Sequence, residues 1–261
     1  MSFDDPIVRP GQSGGSHLHA FFGNTAVNAN STATSLATTG NSTCAGGTLN
    51  RTSYWVPAMI DTRNAAPVKP SSSIFYYKTG YYGISPRAIQ SPPAGLRMVS
   101  GNPQNSGPSA GAFRYGCVVP GGISGGLPTG WYGQTIPNCP VGSDMLMEVL
   151  FPQCWDGVNL DSPDHISHMN TPVNGQCPST HPVPLPVISF EVHYTIKTGD
   201  APTKWRLASD TYDSSLPAGY SGHGDWFSGW DQATMNTITT NCEQKAMDCH
   251  AYLLGDGRTL Y

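Results

Sequence analysis

The sequence predicts a mainly all-β protein, one β-sandwich or jelly-roll-like domain spanning residues 1–261 with long loops and one or two short helices. Three observations carry that expectation. Thirty glycines and twenty-three prolines punctuate the chain too often for long helices, while 38% hydrophobic and 10% aromatic residues exclude a disordered chain. The apolar stretches between these breaks are short and rich in aromatic and β-branched residues. No repeat of about 20–50 residues and no charged linker divides the chain, whose length suits one all-β domain.

Taken in order, residues 32–47, rich in Ser, Thr, Ala and Gly, read as an exposed loop. Strands are expected at 53–60, 73–77, 111–119, 145–151 and 187–196, each bounded by Gly, Pro, Asn or Ser. Pro92-Pro93, Gly121-Gly122 and Gly125-Gly126 mark connections between them. One helix is expected from an N-cap at Asp231 to about Cys242, with Ala233, Ile238 and Cys242 available for packing.

Seven cysteines occur without a CxxC pair, so disulfides and an oxidising compartment are the better reading than zinc or redox exchange. Short loops favour Cys117 with Cys139, Cys154 with Cys177, and Cys242 with Cys249, leaving Cys44 over. The triplets at Asn30, Asn41 and Asn50 fit the N-glycosylation pattern, which matters only in a eukaryotic source. The start at Met1-Ser2, without a signal peptide, reads as that of a chain whose secretion signal has been removed.

A net charge of −4 and a pI near 6 give no broad basic footprint for nucleic acid, and no run of about 18 apolar residues is present to span a membrane. Low charge with abundant Gly, Ser, Thr, Asn, Tyr and Trp is surface chemistry shared by extracellular carbohydrate-active proteins. The expected partner is therefore a polysaccharide or cell-wall glycan, bound by a monomer.

The densest polar segment is CWDGVNLDSPDHISHM, 154–169, with three aspartates, two histidines and Trp155. Asp156, Asp161 and Asp164 offer carboxylates, although an Asp after Pro163 also suits a tight turn. In 187–196, Phe190, Val192 and Tyr194 alternate with Glu191 and His193, which presents Glu191 and His193 on one face. Glu148 has a similar setting in 145–151. Two cleft-facing acids suit glycosidase chemistry, in which a protonated acid serves the leaving oxygen and a second carboxylate activates water or attacks the sugar. Glu191 is the first such residue, and Asp164 or Asp225 the second.

His17, His19, His165, His168, His193 and His223 are expected to shape the cleft, with Trp155, Asp156, Trp226 and Trp230 binding substrate. In GHGDWFSGWD, read as a glycine-rich loop, Trp226 and Trp230 offer faces for sugar rings unless they pack beneath the loop. No cofactor is predicted. If a divalent metal is held, the HLH pair His17 and His19 is the starting point, with His165 as the third ligand. No GxSxG elbow, GxGxxG turn or P-loop is present.

The blocks DPIVRPG, SHLHAFFGN, YWVPAM, GLRMVSG, FPQCWDGVNLDSPDHISHM, CPSTHPVPLPVISFEVHY and GHGDWFSGWD, in this order from Asp5 onward, resemble the family of domain of unknown function 1996. The resemblance implies a secreted or cell-wall-associated protein of the fungal and bacterial kind sometimes joined to carbohydrate-binding WSC modules. It implies no catalytic residue. Three functions stay open: a glycoside hydrolase with paired carboxylates, a histidine-ligated metal enzyme acting on polysaccharide by oxidation or hydrolysis, and a glycan-binding protein that breaks no bond.

Overall fold

The computed structural model describes residues 1–119 and 133–260; Gly121-Gly122 and Gly125-Gly126, read as breaks, lie outside them. The strands are β1 (His19–Gly23), β2 (Ser53–Pro57), β3 (Met59–Asp61), β4 (Ala66–Val68), β5 (Ser72–Lys78), β6 (Arg97–Gly101) and β7 (Phe113–Val118). They continue with β8 (Asp144–Leu150), β9 (Cys154–Trp155), β10 (Met169–Asn170), β11 (Val183–Pro184), β12 (Val187–Thr195), β13 (Trp205–Leu207) and β14 (His223–Phe227). The α-helices among the described residues are α1 (Ala33–Thr38) and α2 (Gln232–Asn241), besides short 3-10 turns.

Two four-stranded antiparallel sheets, ordered β1-β2-β14-β6 and β5-β12-β8-β7, form the body. Alternation decides which face of each is inside. From the first sheet, Ala20, Tyr54, Val56, Met98 and Trp226 enter the main core, where they meet Phe113, Tyr115, Met145, Met147, Val149, Phe190, Val192 and Tyr194 from the second. Gly224 belongs at this contact, since a Cβ there would stand 3.1 Å from Val149 and 3.3 Å from Phe190. Smaller sheets, β13-β3-β4 and β10-β9-β11, flank the body.

The outer face of the first sheet is itself covered. Asp5 Oδ1 accepts from the N–H groups of Ile7 and Val8 at 3.0 and 2.9 Å, a turn that places Ile7 in a second apolar cluster with Leu36, Trp55, Val99 and Phe227. With both faces covered, every residue of β2 is buried. Leu36 comes from α1, so part of the 32–47 stretch read as a loop is a short helix, with a reciprocal capping box between Thr32 and Ser35.

The expected N-cap holds: Asp231 Oδ1 accepts from Thr234 N at 2.8 Å. The packing of α2 differs from the sequence reading, because Ala233 is exposed while Met235 and Thr239 are buried and Ile238 half-buried. The disulfides are Cys117–Cys139, Cys154–Cys177 and Cys242–Cys249, with Cys44 a free thiol. In the segment read as a glycine-rich loop, His223–Phe227 is instead a strand in the interior of a sheet.

Candidate metal centre

Because Gly224 and Trp226 face the core, their neighbours His223, Asp225 and Phe227 face outward. The registers arrange this face in rows. Phe21, Trp55, Asp225 and Val99 lie side by side. One row along, His19 pairs with Pro57, and continuing the β2–β14 register brings His223 to the other side of Pro57. The two imidazoles approach to 5.9 Å between centroids. His17, two residues before His19, adds its ring at 4.2 Å from His19 and 5.0 Å from His223. Gly101 makes room beside them: at φ +93°, its absent Cβ would lie 2.4 Å from the Gly222 oxygen and 2.7 Å from His223 Cα.

One ring nitrogen from each of His17, His19 and His223 falls within 4.8 Å of the others. His17 Nε2 and His223 Nε2 are 3.2 Å apart. Nitrogens at about 2.05 Å from a tetrahedral ion lie about 3.3 Å from one another, a separation that this pair matches and that also lets one ring donate to the other. Tautomers follow from the partners. His19 Nδ1 is 3.0 Å from the Asp4 oxygen and His223 Nδ1 is 2.7 Å from the Ser221 oxygen. A carbonyl only accepts, so both Nδ1 atoms carry the proton and both Nε2 atoms offer a lone pair. His19 Nε2 is buried without a hydrogen-bond partner.

Burial keeps these rings neutral, the form that ligates. It lowers His17 to about 4 and, with the adjoining His17, His223 to about 3; His19 falls well below its usual value through burial and the two neighbouring rings. His17 is half-buried while the other two are buried, which leaves the group open on the His17 side. Next to His223 on this face, Asp225 is 1% exposed, and its Oδ2 has no partner. Burial, then the charge of Asp5, raises its pKa well above the usual carboxylate range.

The 154–169 segment runs along the β6 edge of the same sheet but spends its polar groups on itself. Arg97 N donates to the Leu160 oxygen at 2.9 Å, and the Arg97 guanidinium meets Asp161 at 3.0 Å while lying over the Phe227 ring. Asp161 also receives His165 Nδ1 at 2.9 Å, so His165 does not join His17 and His19. Both nitrogens of His168 are engaged, with the Arg97 oxygen and Ser162 Oγ. Asp156 accepts from the N–H groups of Val158 and Asn159, and Trp155 Nε1 donates to the Asn159 oxygen. At Asp164 the N–H of Ser167, the Ser162 hydroxyl and the N–H of Ile166 hold the carboxyl well below its usual range. These are turn carboxylates.

Glu191 and His193 lie on the outer face of the second sheet, across the sandwich from Asp225. Glu191 is directly opposite Glu148 on β8, accepts from the Tyr76 hydroxyl at 3.4 Å, and has His193 Nε2 at 3.9 Å. Glu148 is ion-paired with Arg114. Glu191 therefore shares a face with Glu148, and neither Asp164 nor Asp225 is brought to it. Trp226 and Trp230 are 0% and 8% exposed and both donate to the Tyr77 hydroxyl; Trp226, packed in the main core, has no face available to a sugar.

Sequence reasoning singled out all three clustered histidines but had no means of joining His223 to the HLH pair. The usable signal was the i, i+2 spacing in both HLH and HGD, which puts each pair on one strand face. Neither curated proteins nor solved structures give a match to the chain. The model of a family described as a domain of unknown function, DUF1996, matches residues 5–230, which contain the three histidines and Asp225, and the chain belongs to that family.

Proposed function

We propose that this protein is a secreted metal-dependent enzyme acting on polysaccharide, with His17, His19 and His223 as the ligands of a divalent ion. The convergence of three imidazole nitrogens, two of them oriented through backbone carbonyls, carries the reading. A bound ion would supply Lewis acidity and a water ionised near neutral pH. The chain's residues do the rest. Strands β1 and β14 hold two ligands at fixed separation, and the open His17 side admits substrate. Three disulfides support an oxidising, extracellular setting. The low charge and polar, aromatic composition support a neutral glycan.

The test is elemental analysis of protein stripped and then re-equilibrated with zinc, copper or manganese, together with mass spectrometry of products from a panel of polysaccharides, with and without chelator. One ion per chain, and products that vanish with chelator and in His223→Ala, are expected; absence of stoichiometric metal in the re-equilibrated protein overturns the reading. Neutral products identify hydrolysis and oxidised ones a redox-active ion.

The facing pair Glu148 and Glu191, beside Tyr76, favours a second reading, paired-carboxylate hydrolysis on the opposite face. Neutral products insensitive to chelator and lost in Glu191→Gln would support it.

A further inference from the structure

Between β5, an edge strand, and the C-terminal segment lies a cavity of about 850 Å³, a size that suits a small molecule. The wall built by α2 and the residues after it lies beyond the part of the chain that the family matches, so family membership does not imply this cavity. Tyr77 and Trp230 give it aromatic surface and Cys44 a half-buried thiol.

Glu243 stands out in this lining. It is 7% exposed, and no described side chain hydrogen-bonds or ion-pairs with its carboxyl group. The cations nearby are turned elsewhere. Lys245 Nζ donates to Asn241 Oδ1 at 3.2 Å, and the Lys78 ammonium sits over the Tyr76 ring, 4.2 Å from its centroid. Asp248 and His250 are exposed and pair with each other. Glu243 is also held firmly. It follows Cys242, which is tied to Cys249, and the next residue, Gln244, donates to the Ile89 oxygen at 2.9 Å. No group of three ligating side chains forms around it among the described residues, which disfavours a metal ion.

We propose that this cavity binds a small molecule with an aromatic or aliphatic body and a protonated amine, the amine meeting the Glu243 carboxylate. Burial of a carboxyl group without a partner is costly, and it raises Glu243 to about 7. An ammonium group removes that cost by pairing with the carboxylate, and the apolar wall takes up the body of the ligand. The site is separate from the three histidines and does not depend on a metal there.

Phenethylamine and its uncharged counterpart 2-phenylethanol are suitable probes, titrated calorimetrically into the full chain in the presence of chelator. Saturable binding of phenethylamine is expected, weaker by roughly tenfold or more for the alcohol and for Glu243→Gln, as loss of a charge-assisted contact predicts. Ile238→Trp, which narrows the cavity from α2, is expected to abolish binding of both probes while circular dichroism stays unchanged. Failure of the wild-type chain to bind phenethylamine at millimolar concentration, or equal affinity in Glu243→Gln, overturns the proposal.

Discussion

Binding of a divalent ion by His17, His19 and His223 must stabilise the fold, and the size of the effect follows from where the ligands lie. His17 and His223 are 206 residues apart in sequence, so the unfolded chain does not hold the set together and the ion's affinity is coupled to folding. At an ion concentration about a hundred times the dissociation constant, that coupling contributes about 2.7 kcal/mol. An unfolding entropy of about 2.1 cal/mol/K per residue, over 261 residues, gives about 0.55 kcal/mol/K and a rise of about 5 °C in Tm. The assay is differential scanning calorimetry of chelator-treated protein with and without added zinc, copper or manganese. His17→Ala is the cleanest variant, because that ring is half-buried and its removal disturbs the core least. The metal-dependent rise should fall to near zero in His17→Ala and His223→Ala, each measured against its own metal-free form, and persist in His165→Ala. A wild-type Tm that no ion moves, or a full rise retained in both His17→Ala and His223→Ala, would refute the reasoning.

Three further outcomes are expected. Burial raises Glu243 from 4.5 to about 7, so the folded chain keeps a proton that the unfolded chain has released. The associated stability is complete below about pH 4.5 and is lost as pH rises through about 7, a difference of about 3 kcal/mol; urea titrations at about pH 5 and about pH 8 should show this slope flattened in Glu243→Gln. Gly101→Ala should abolish the metal-dependent rise in Tm, since its Cβ would press on His223 from a backbone at φ +93°, whereas Gly107→Ala, with nothing within 4 Å, should retain it. Asp164→Ala should lower the melting temperature by loosening the turn it caps while leaving metal content and product formation unchanged; an inactive but fully folded variant would show that Asp164 does more than close the turn.

The strands were legible wherever a buried face alternates with another kind of residue. In 187–196 the alternation of Phe190, Val192 and Tyr194 with Glu191 and His193 requires two environments, and the structure supplies both. The cysteine pairs were legible because each closes a short loop. GHGDWF misled for a physical reason: Gly224 sits where the two sheets meet and a Cβ would crowd Val149 and Phe190, so a glycine that serves tight packing looks like one that serves a turn. The helix Ala33–Thr38 was hidden because its six residues have no charged ends, and only the Thr32/Ser35 capping box and the single buried Leu36 mark it.

The candidate site divides along the same line between local and distant order. Asp, Ser and His crowded into 154–169 suggested chemistry, yet Asp and Ser side chains are the ones that bond neighbouring backbone N–H groups and shape turns. Their density there reflects a segment without regular structure that must satisfy its own polar groups along the β6 edge, as Asp156, Asp161 and Asp164 do. A metal centre has the opposite requirement. Its ligands must be left without local partners on the ligating side, and rigidity then has to come from elements far apart in sequence. His19 and His223 satisfy this through separate strands and separate carbonyl partners. Only the alternate spacing of HLH and HGD leaves a trace of that arrangement in the sequence, and which strand lies beside which decides whether the two traces meet.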